Sequence, residues 1–311
     1  MERLVFLGTD GIGTGVLRWL RERSGERFQL VGAVSGVDRR SGRGLKLQTN
    51  PIAALCRELG LELLQTERPG EELLHWLKER RAQRGIVFSY GHILGQRLLD
   101  AVPGGFINLH ASPLPELRGP SPIEGAIVER RAATAMTLMQ LVREMDAGPT
   151  FASIPLPIAT DETAATLRKK MAALGVEALE RFLVPILSGQ LLPREQDPSR
   201  ATYTHILRRE DGRLDFSLAA ADLEARVRAF HPWPGSFFSH GGELIRVCRA
   251  SVGDGTAAPG TILGIRDGFL EIATGCGILR CQELQRPTRK ILPAAVVWQQ
   301  LAAKAESRLQ I

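Results

Sequence analysis

The chain has 311 residues, of which 44 % are hydrophobic, 24 % charged and only 5 % aromatic, a balance that supports buried cores and excludes disordered and fibrous classes. Its length, at about 150 residues per domain, predicts two domains. Forty Lys and Arg against 34 Asp and Glu leave +6, divided as +3 over residues 1–200 and +3 over 201–311, which excludes a basic tail and confines any polyanion footprint to a folded patch.

The chain opens on a strand, Arg3–Gly8, followed by a helix over Thr14–Arg23 with apolar residues at Val16, Leu17 and Leu20, and a second strand over Gln29–Val34. A glycine-rich basic loop, Val37–Leu47, leads to a helix over Pro51–Leu59 whose first-turn proline suits a helix start. Strands follow at Glu62–Gln65, Gly85–Ser89 and Gly105–Leu109, separated by helices near Glu71–Arg80 and Leu94–Leu99. This β-α-β-α repetition predicts a doubly wound, Rossmann-like α/β sheet. The periodicity stops between Ser188 and Thr204, which reads as a linker. Beyond it lie a helix over Ala219–Phe230 and short strands at Leu244–Arg249, Gly260–Ile265, Phe269–Ala273 and Ile278–Glu283, the spacing of a small OB-like β-barrel. The expected division is therefore 1–188, a linker over 189–204, and 205–311.

The cysteines Cys56, Cys248, Cys276 and Cys281 are scattered and match neither a zinc ribbon nor a disulfide scaffold, which predicts a reduced intracellular compartment. No run reaches about 18 apolar residues. The expected protein is soluble and cytoplasmic, with no bound metal.

Two clusters carry chemistry. Gly8, Gly11, Gly13 and Gly15 follow the first strand, and Asp38 follows the second, which invites a dinucleotide turn with a ribose partner; the residues do not meet G-x-G-x-x-G, and a tight strand-to-helix turn explains them better. The second cluster is Asn108-Leu109-His110, at the end of a strand and just before Ser112-Pro113-Leu114-Pro115. Residues two apart on a strand project to one side, so the Asn108 amide and the His110 imidazole converge where open α/β sheets bind ligands. An amide and a protonated imidazole are both donors suited to a developing oxyanion. Asp146, before Ala147-Gly148-Pro149, reads on its own as a turn residue.

Taken together, Asn108-x-His110, Ser112-x-Leu114-Pro115, Arg118-Gly119 and an Asp-x-Gly 36 residues after the histidine resemble the folate-dependent formyltransferases. The likeness to the branch of that family acting on initiator methionyl-tRNA extends over nearly the whole chain. It includes Phe6-x-Gly8-Thr9, Gly42-Arg43-Gly44-x-Lys46-Leu47, Tyr90-Gly91-x-Ile93-Leu94, Phe230-x-Pro232-Trp233-Pro234 and Ala258-Pro259-Gly260-Thr261-Ile262.

The resemblance implies formyl transfer from 10-formyltetrahydrofolate to the α-amino group of methionine on initiator tRNA. Asn108, His110 and Asp146 are implied as the catalytic centre. Tyr90, Gly91, Ser112, Pro113, Leu114 and Pro115 are implied to line the folate site, with a cis Leu114–Pro115 bond. Arg43 and Lys46 are implied to contact tRNA, and the active form is expected to be a monomer. Residues Asp10-Gly11-Ile12-Gly13 and Val142-Arg143-Glu144 depart from the family pattern, and the ending Gly148-Pro149 looks more like formyltransferases of small amines. A formyltransferase acting on an amino sugar or another metabolite is therefore the alternative, followed by a nicotinamide-dependent oxidoreductase and a non-enzymatic RNA-binding protein.

Overall fold

A computed structural model describes residues 1–41 and 46–308, with side chains at all of these except 40, 41, 46 and 303–308. The chain folds into two units. The first comprises Met1–Pro122, Ala133–Pro157 and Arg168–His205; the second comprises Ile123–Ala132, Ile158–Leu167 and Ile206–Ile311. Residues 189–204 lie wholly within the first unit.

The first unit is built on a seven-stranded sheet. Its strands are β1 (Glu2–Leu7), β2 (Phe28–Ser35), β5 (Leu63–Gln65), β6 (Arg84–Val87), β7 (Phe106–His110), β8 (Ala133–Gln140) and β9 (Thr150–Pro157), in the order β5-β2-β1-β6-β7-β8-β9. The first five strands in that order are parallel, and β8 and β9 run antiparallel. Central parallel strands are covered on both faces, so they read as continuous apolar runs; Leu4, Val5, Phe6 and Leu7 of β1 are all fully buried.

Helix α1 (Thr14–Glu22) buries Val16, Leu17 and Leu20, the expected stripe. Helix α2 (Pro51–Glu58) begins where Asn50 accepts a hydrogen bond from the Ala53 N–H at 2.9 Å, with Pro51 in the first turn. Helix α3 (Glu71–Glu79) sets Leu73, Trp76 and Leu77 against Val5, Leu7 and Val34 of the sheet. Within the basic loop, β3 (Arg39–Ser41) pairs antiparallel with β4 (Lys46–Gln48). The helix expected over Leu94–Leu99 is the shorter α4 (Gln96–Leu99). Sequence reading assigned nothing to β8, β9 or the 24-residue α6 (Ala164–Leu187). Helix α5 (Pro122–Val128) was also unassigned.

The second unit carries an antiparallel half-barrel. The strands are β10 (Ser236–His240), β11 (Glu243–Gly253), β12 (Ile262–Arg266), β13 (Phe269–Ala273) and β14 (Ile278–Gln285), in the order β10-β11-β14-β13-β12, with β15 (Ile291–Pro293) added on β14. Register shifts on either side of Arg249 bend β11, as bulges do. Its core joins Ile245, Val247, Leu270, Ile272, Leu279 and Leu284 to Leu223 and Val227 of α7 (Ala220–Ala229) and to Val297 and Leu301 of α8 (Ala294–Arg308). The architecture is the expected α/β sheet followed by a small β domain. Among the described residues, no helix is long and apolar enough to cross a membrane.

Candidate active site

The register aligns the carboxyl ends of four strands. Leu7 pairs with Val34 on one side and Val87 on the other, and Val87 pairs with Asn108, so β2, β1, β6 and β7 present one edge. Strand β7 is where the parallel sheet gives way to the antiparallel edge, with His110 opposite Thr137 of β8. Asn108 is half-buried, and no described residue hydrogen-bonds its side-chain amide. The adjoining turns are tight: a Cβ on Gly8 would lie 2.7 Å from the Phe6 ring and 2.9 Å from the Phe88 carbonyl, so the chain passes there only as glycine.

His110 is pinned from one side. Its Nε2 lies 3.1 Å from the Leu117 carbonyl oxygen, which can only accept, so Nε2 carries the hydrogen and Nδ1 is left for chemistry. Nδ1 faces the Asp146 carboxylate with Oδ2 at 3.7 Å; the two side chains are 7 % and 14 % exposed. That separation exceeds a hydrogen bond and leaves charge complementarity to a protonated imidazole. Asp146 Oδ2 accepts a hydrogen bond from the Gly119 N–H at 2.8 Å. Leu117 and Asp146 both sit in the left-handed region, with φ of 56° and 50°. Such conformations in residues other than glycine are sparse and concentrate at functional sites.

The structure thus sets Asp146 opposite His110, which shares strand β7 with Asn108. It also supplies residues that sequence reading missed. Gln196 Nε2 donates to the Asp146 carbonyl at 2.8 Å and the Gly148 carbonyl at 2.7 Å. Its Oε1 accepts from Arg118 Nε and Nη2 at 3.2 and 2.8 Å. The Leu117 N–H donates to Thr202 Oγ1 at 2.8 Å, and Arg118 pairs with Tyr203 in a parallel bridge. These contacts join segments about 50 and 80 residues apart, and nothing in the aperiodic run 189–204 signals them.

The remaining candidates fall into three groups. Ser112 is fully buried and its hydroxyl donates to the Glu116 carbonyl at 2.6 Å, so it shapes its loop; Pro113 and Leu114 are half-buried, Pro115 is buried, and the Leu114–Pro115 bond is cis. Tyr90 is buried within the cluster of Leu73, Leu77 and Leu98; its hydroxyl has no partner among the described residues, and burial pushes its pKa up to about 12. Gly91 follows with φ of 80°. Arg43 and the Lys46 side chain lie outside the described residues.

A cavity of about 450 Å³ opens on the same sheet edge, lined by Thr9, Gly11, Arg39, Asn50, Tyr90 and His92, among others. The Thr9 hydroxyl stitches its wall, donating to the Tyr90 carbonyl at 2.8 Å and accepting from the Gly36 N–H at 3.1 Å. Burial and the Arg39 cation hold the His92 imidazole below its usual pKa.

Asp38, the candidate ribose partner, is engaged within the protein. Its carboxylate accepts from the Asn50 N–H at 3.1 Å and from Gln65 Nε2 at 2.9 Å. Burial pushes its pKa up, but these hydrogen bonds, with Thr49 and Arg57, outweigh burial and hold it below the usual aspartate value. A lowered folded-state pKa stabilises above the unfolded-state value, near 3.8, and that contribution is lost as pH falls through the folded-state value. Asp38→Asn therefore destabilises the protein at pH 7, and the difference from wild type shrinks below about pH 4. Urea unfolding at the two pH values checks this, and an equal difference at both would refute it. Among the described residues, no group of three or more His, Cys, Asp or Glu is placed to hold a metal.

Comparison with known proteins shows the family. The Formyl transferase family matches residues 2–183, and the Formyl transferase, C-terminal domain family matches residues 206–302. The methionyl-tRNA formyltransferase of Myxococcus xanthus is 36 % identical over 294 residues, covering 94 % of this chain and 93 % of that one. The enzyme of the same name from Pseudomonas paraeruginosa is 38 % identical over 295 residues, covering 94 % of each. The crystal structure of an N-formyltransferase from Helicobacter canadensis with folinic acid and dTDP-3-aminofucose superposes with a TM-score of 0.69 at 13 % identity, over 92 % of this chain and 100 % of that one, which shows a shared fold. With both of its domains matched along almost their full length, the chain belongs to the formyl transferase family.

Proposed function

We propose that the chain transfers the formyl group of 10-formyltetrahydrofolate to the α-amino group of methionine on initiator methionyl-tRNA, with Asn108, His110 and Asp146 as its catalytic residues. One arrangement carries the chemistry: an Asn108 amide that no described residue hydrogen-bonds, on the same strand as an imidazole whose Nε2 is spent on a carbonyl and whose Nδ1 faces a carboxylate. The acceptor follows the relatives, whose identity to this chain runs through both domains.

The amine nitrogen attacks the formyl carbon, the carbonyl π electrons move to oxygen, and the resulting oxyanion accepts hydrogen bonds from Asn108 Nδ2 and from His110 protonated at Nδ1. A well-placed donor of this kind contributes on the order of 3 kcal/mol. The proton shed by the amine passes through water to Asp146. Collapse of the oxyanion breaks the bond from the formyl carbon to N10, which leaves with the electron pair and takes the His110 Nδ1 proton. Asp146 then returns its proton to His110, and the site is restored.

The folate co-substrate fits the loops after β6 and β7. Ile93 is 72 % exposed and Leu114 half-buried, which leaves apolar surface for a pterin. In this reading the three catalytic residues lie within residues 1–188, with Gln196 just beyond them. The basic loop, through Arg43 and Lys46, and residues 205–311 hold the tRNA, on a cytoplasmic monomer.

Incubation with charged initiator tRNA and labelled 10-formyltetrahydrofolate tests the reading. Formylmethionyl-tRNA is the expected product, and transfer to an amino sugar or small amine with none to the tRNA would overturn the acceptor. Arg43→Ala is expected to weaken tRNA binding and reduce the slope of log K against log salt by about 1, as one lost phosphate contact does. An unchanged slope removes Arg43 from the interface.

A further inference from the structure

We propose that Gln196 is a positioning residue that holds the Asp146 carboxylate against His110; this rests on the catalytic reading above. Asp146 lies in the loop between β8 and β9, whose Arg143, Glu144 and Met145 are exposed. Its left-handed φ of 50° is sparsely populated by residues other than glycine, so contacts from outside the loop help to select it. Within the loop, the Ala147 N–H reaches the Glu144 carbonyl only at 3.4 Å.

The Gln196 amide supplies what the loop lacks. A side-chain amide has two N–H donors and an oxygen with two lone pairs. Both donor bonds go to the loop, to the Asp146 and Gly148 carbonyls, and both oxygen bonds come from Arg118. Because a guanidinium only donates and carbonyls only accept, the amide has one workable orientation. Arg118 is itself 5 % exposed and fixed by backbone pairing, its N–H donating to the Thr202 carbonyl at 2.8 Å.

The next residue, Gly119, gives the Asp146 carboxylate its N–H. A closed ring therefore runs from the Arg118 side chain through Gln196 to the Asp146 main chain, and back from the Asp146 side chain to Gly119. Gln196 makes no hydrogen bond to His110 or Asn108 among the described residues, yet in this reading the 3.7 Å approach of Nδ1 to Oδ2 depends on it.

Gln196→Glu isolates this role. It keeps two acceptors for Arg118, so the buried guanidinium stays paired, but it sets a carboxylate oxygen against two carbonyls and drives the Asp146 turn away. The expected result is a 10- to 100-fold loss of kcat, the scale of an ångström-sized misplacement, with KM for both substrates within about twofold. Placed in the Asp146→Asn background, Gln196→Glu is expected to slow turnover no further, because a positioning residue has nothing left to position.

The His110 imidazole 15N resonances give a readout independent of turnover. In Gln196→Glu they are expected to move toward their positions in Asp146→Asn. Full activity in the single variant, losses that multiply in the double variant, or unmoved His110 resonances would each overturn the assignment. If the wild-type chain formylates no tRNA, the catalytic reading falls, and the resonances still decide whether Gln196 sets the placement of Asp146. Gln196→Met, which fills the same space without the four hydrogen bonds, guards against an effect of the introduced charge; it is expected to move the same resonances in the same direction, and unmoved resonances count against the assignment.

Discussion

Asn108→Ala and Asp146→Ala are each expected to lower kcat by at least about 100-fold while the folded protein persists. The Asn108 amide makes no hydrogen bond to a described residue, so its removal breaks nothing in the resting structure. Its whole effect falls on the oxyanion, where one donor is worth on the order of 3 kcal/mol, equivalent to somewhat more than 100-fold. Asp146 differs in that its carboxylate also accepts the Gly119 N–H, so Asp146→Ala carries a stability cost of about 1–2 kcal/mol beside the kinetic one. Asp146→Asn retains an oxygen for that N–H and separates the two effects. Initial rates at saturating substrates, with circular dichroism as the check on folding, measure both. Retained turnover in both alanine variants would remove these residues from the catalytic centre.

Gly148→Ala is expected to cost about 3 kcal/mol of stability and to reduce turnover with it. A Cβ there would run into the Gln140 carbonyl and approach Val142 to 3.2 Å. Backbone yields far less than a side-chain tip, and the Gln140 N–H is tied to the Pro149 carbonyl at 2.9 Å, so the base of the loop cannot open without losing that bond. The strained turn carries Asp146 two residues earlier, and the Gly148 carbonyl is one of the two held by Gln196. Turnover therefore falls through kcat, with substrate affinities little changed. Urea unfolding and steady-state kinetics measure the two effects, and an unaltered unfolding midpoint would show that the loop base has room.

Much of this was legible because the signals were local. The run Leu4–Leu7 declares a central strand, and Asn50-Pro51 declares the start of α2. Asn108 and His110 converge through the two-residue alternation of any strand. Strand β8 was missed because Ala135, Met136, Leu138 and Met139 are buried with Thr134 and Thr137, so its sequence ATAMTLMQ shows no clean alternation. Gln196 was missed for a different reason: its partners are 48 to 78 residues away, and a polar residue in an aperiodic segment advertises nothing. The carboxylate facing His110 became readable only through motif resemblance, since alone it reads as the turn residue it also is.

The stretch from Arg194 to His205 also determines where this polypeptide can be divided. Arg194 pairs with Thr150, Gln196 with the Asp146 turn, Tyr203 with Arg118, and the His205 carbonyl accepts from Ser121. A fragment ending with the long helix at Leu187 would look complete by its secondary structure and would lack every one of these ties. A fragment carried through His205 keeps them all. In exchanging or deleting the C-terminal module, the functional seam therefore lies beyond the apparent linker, after His205.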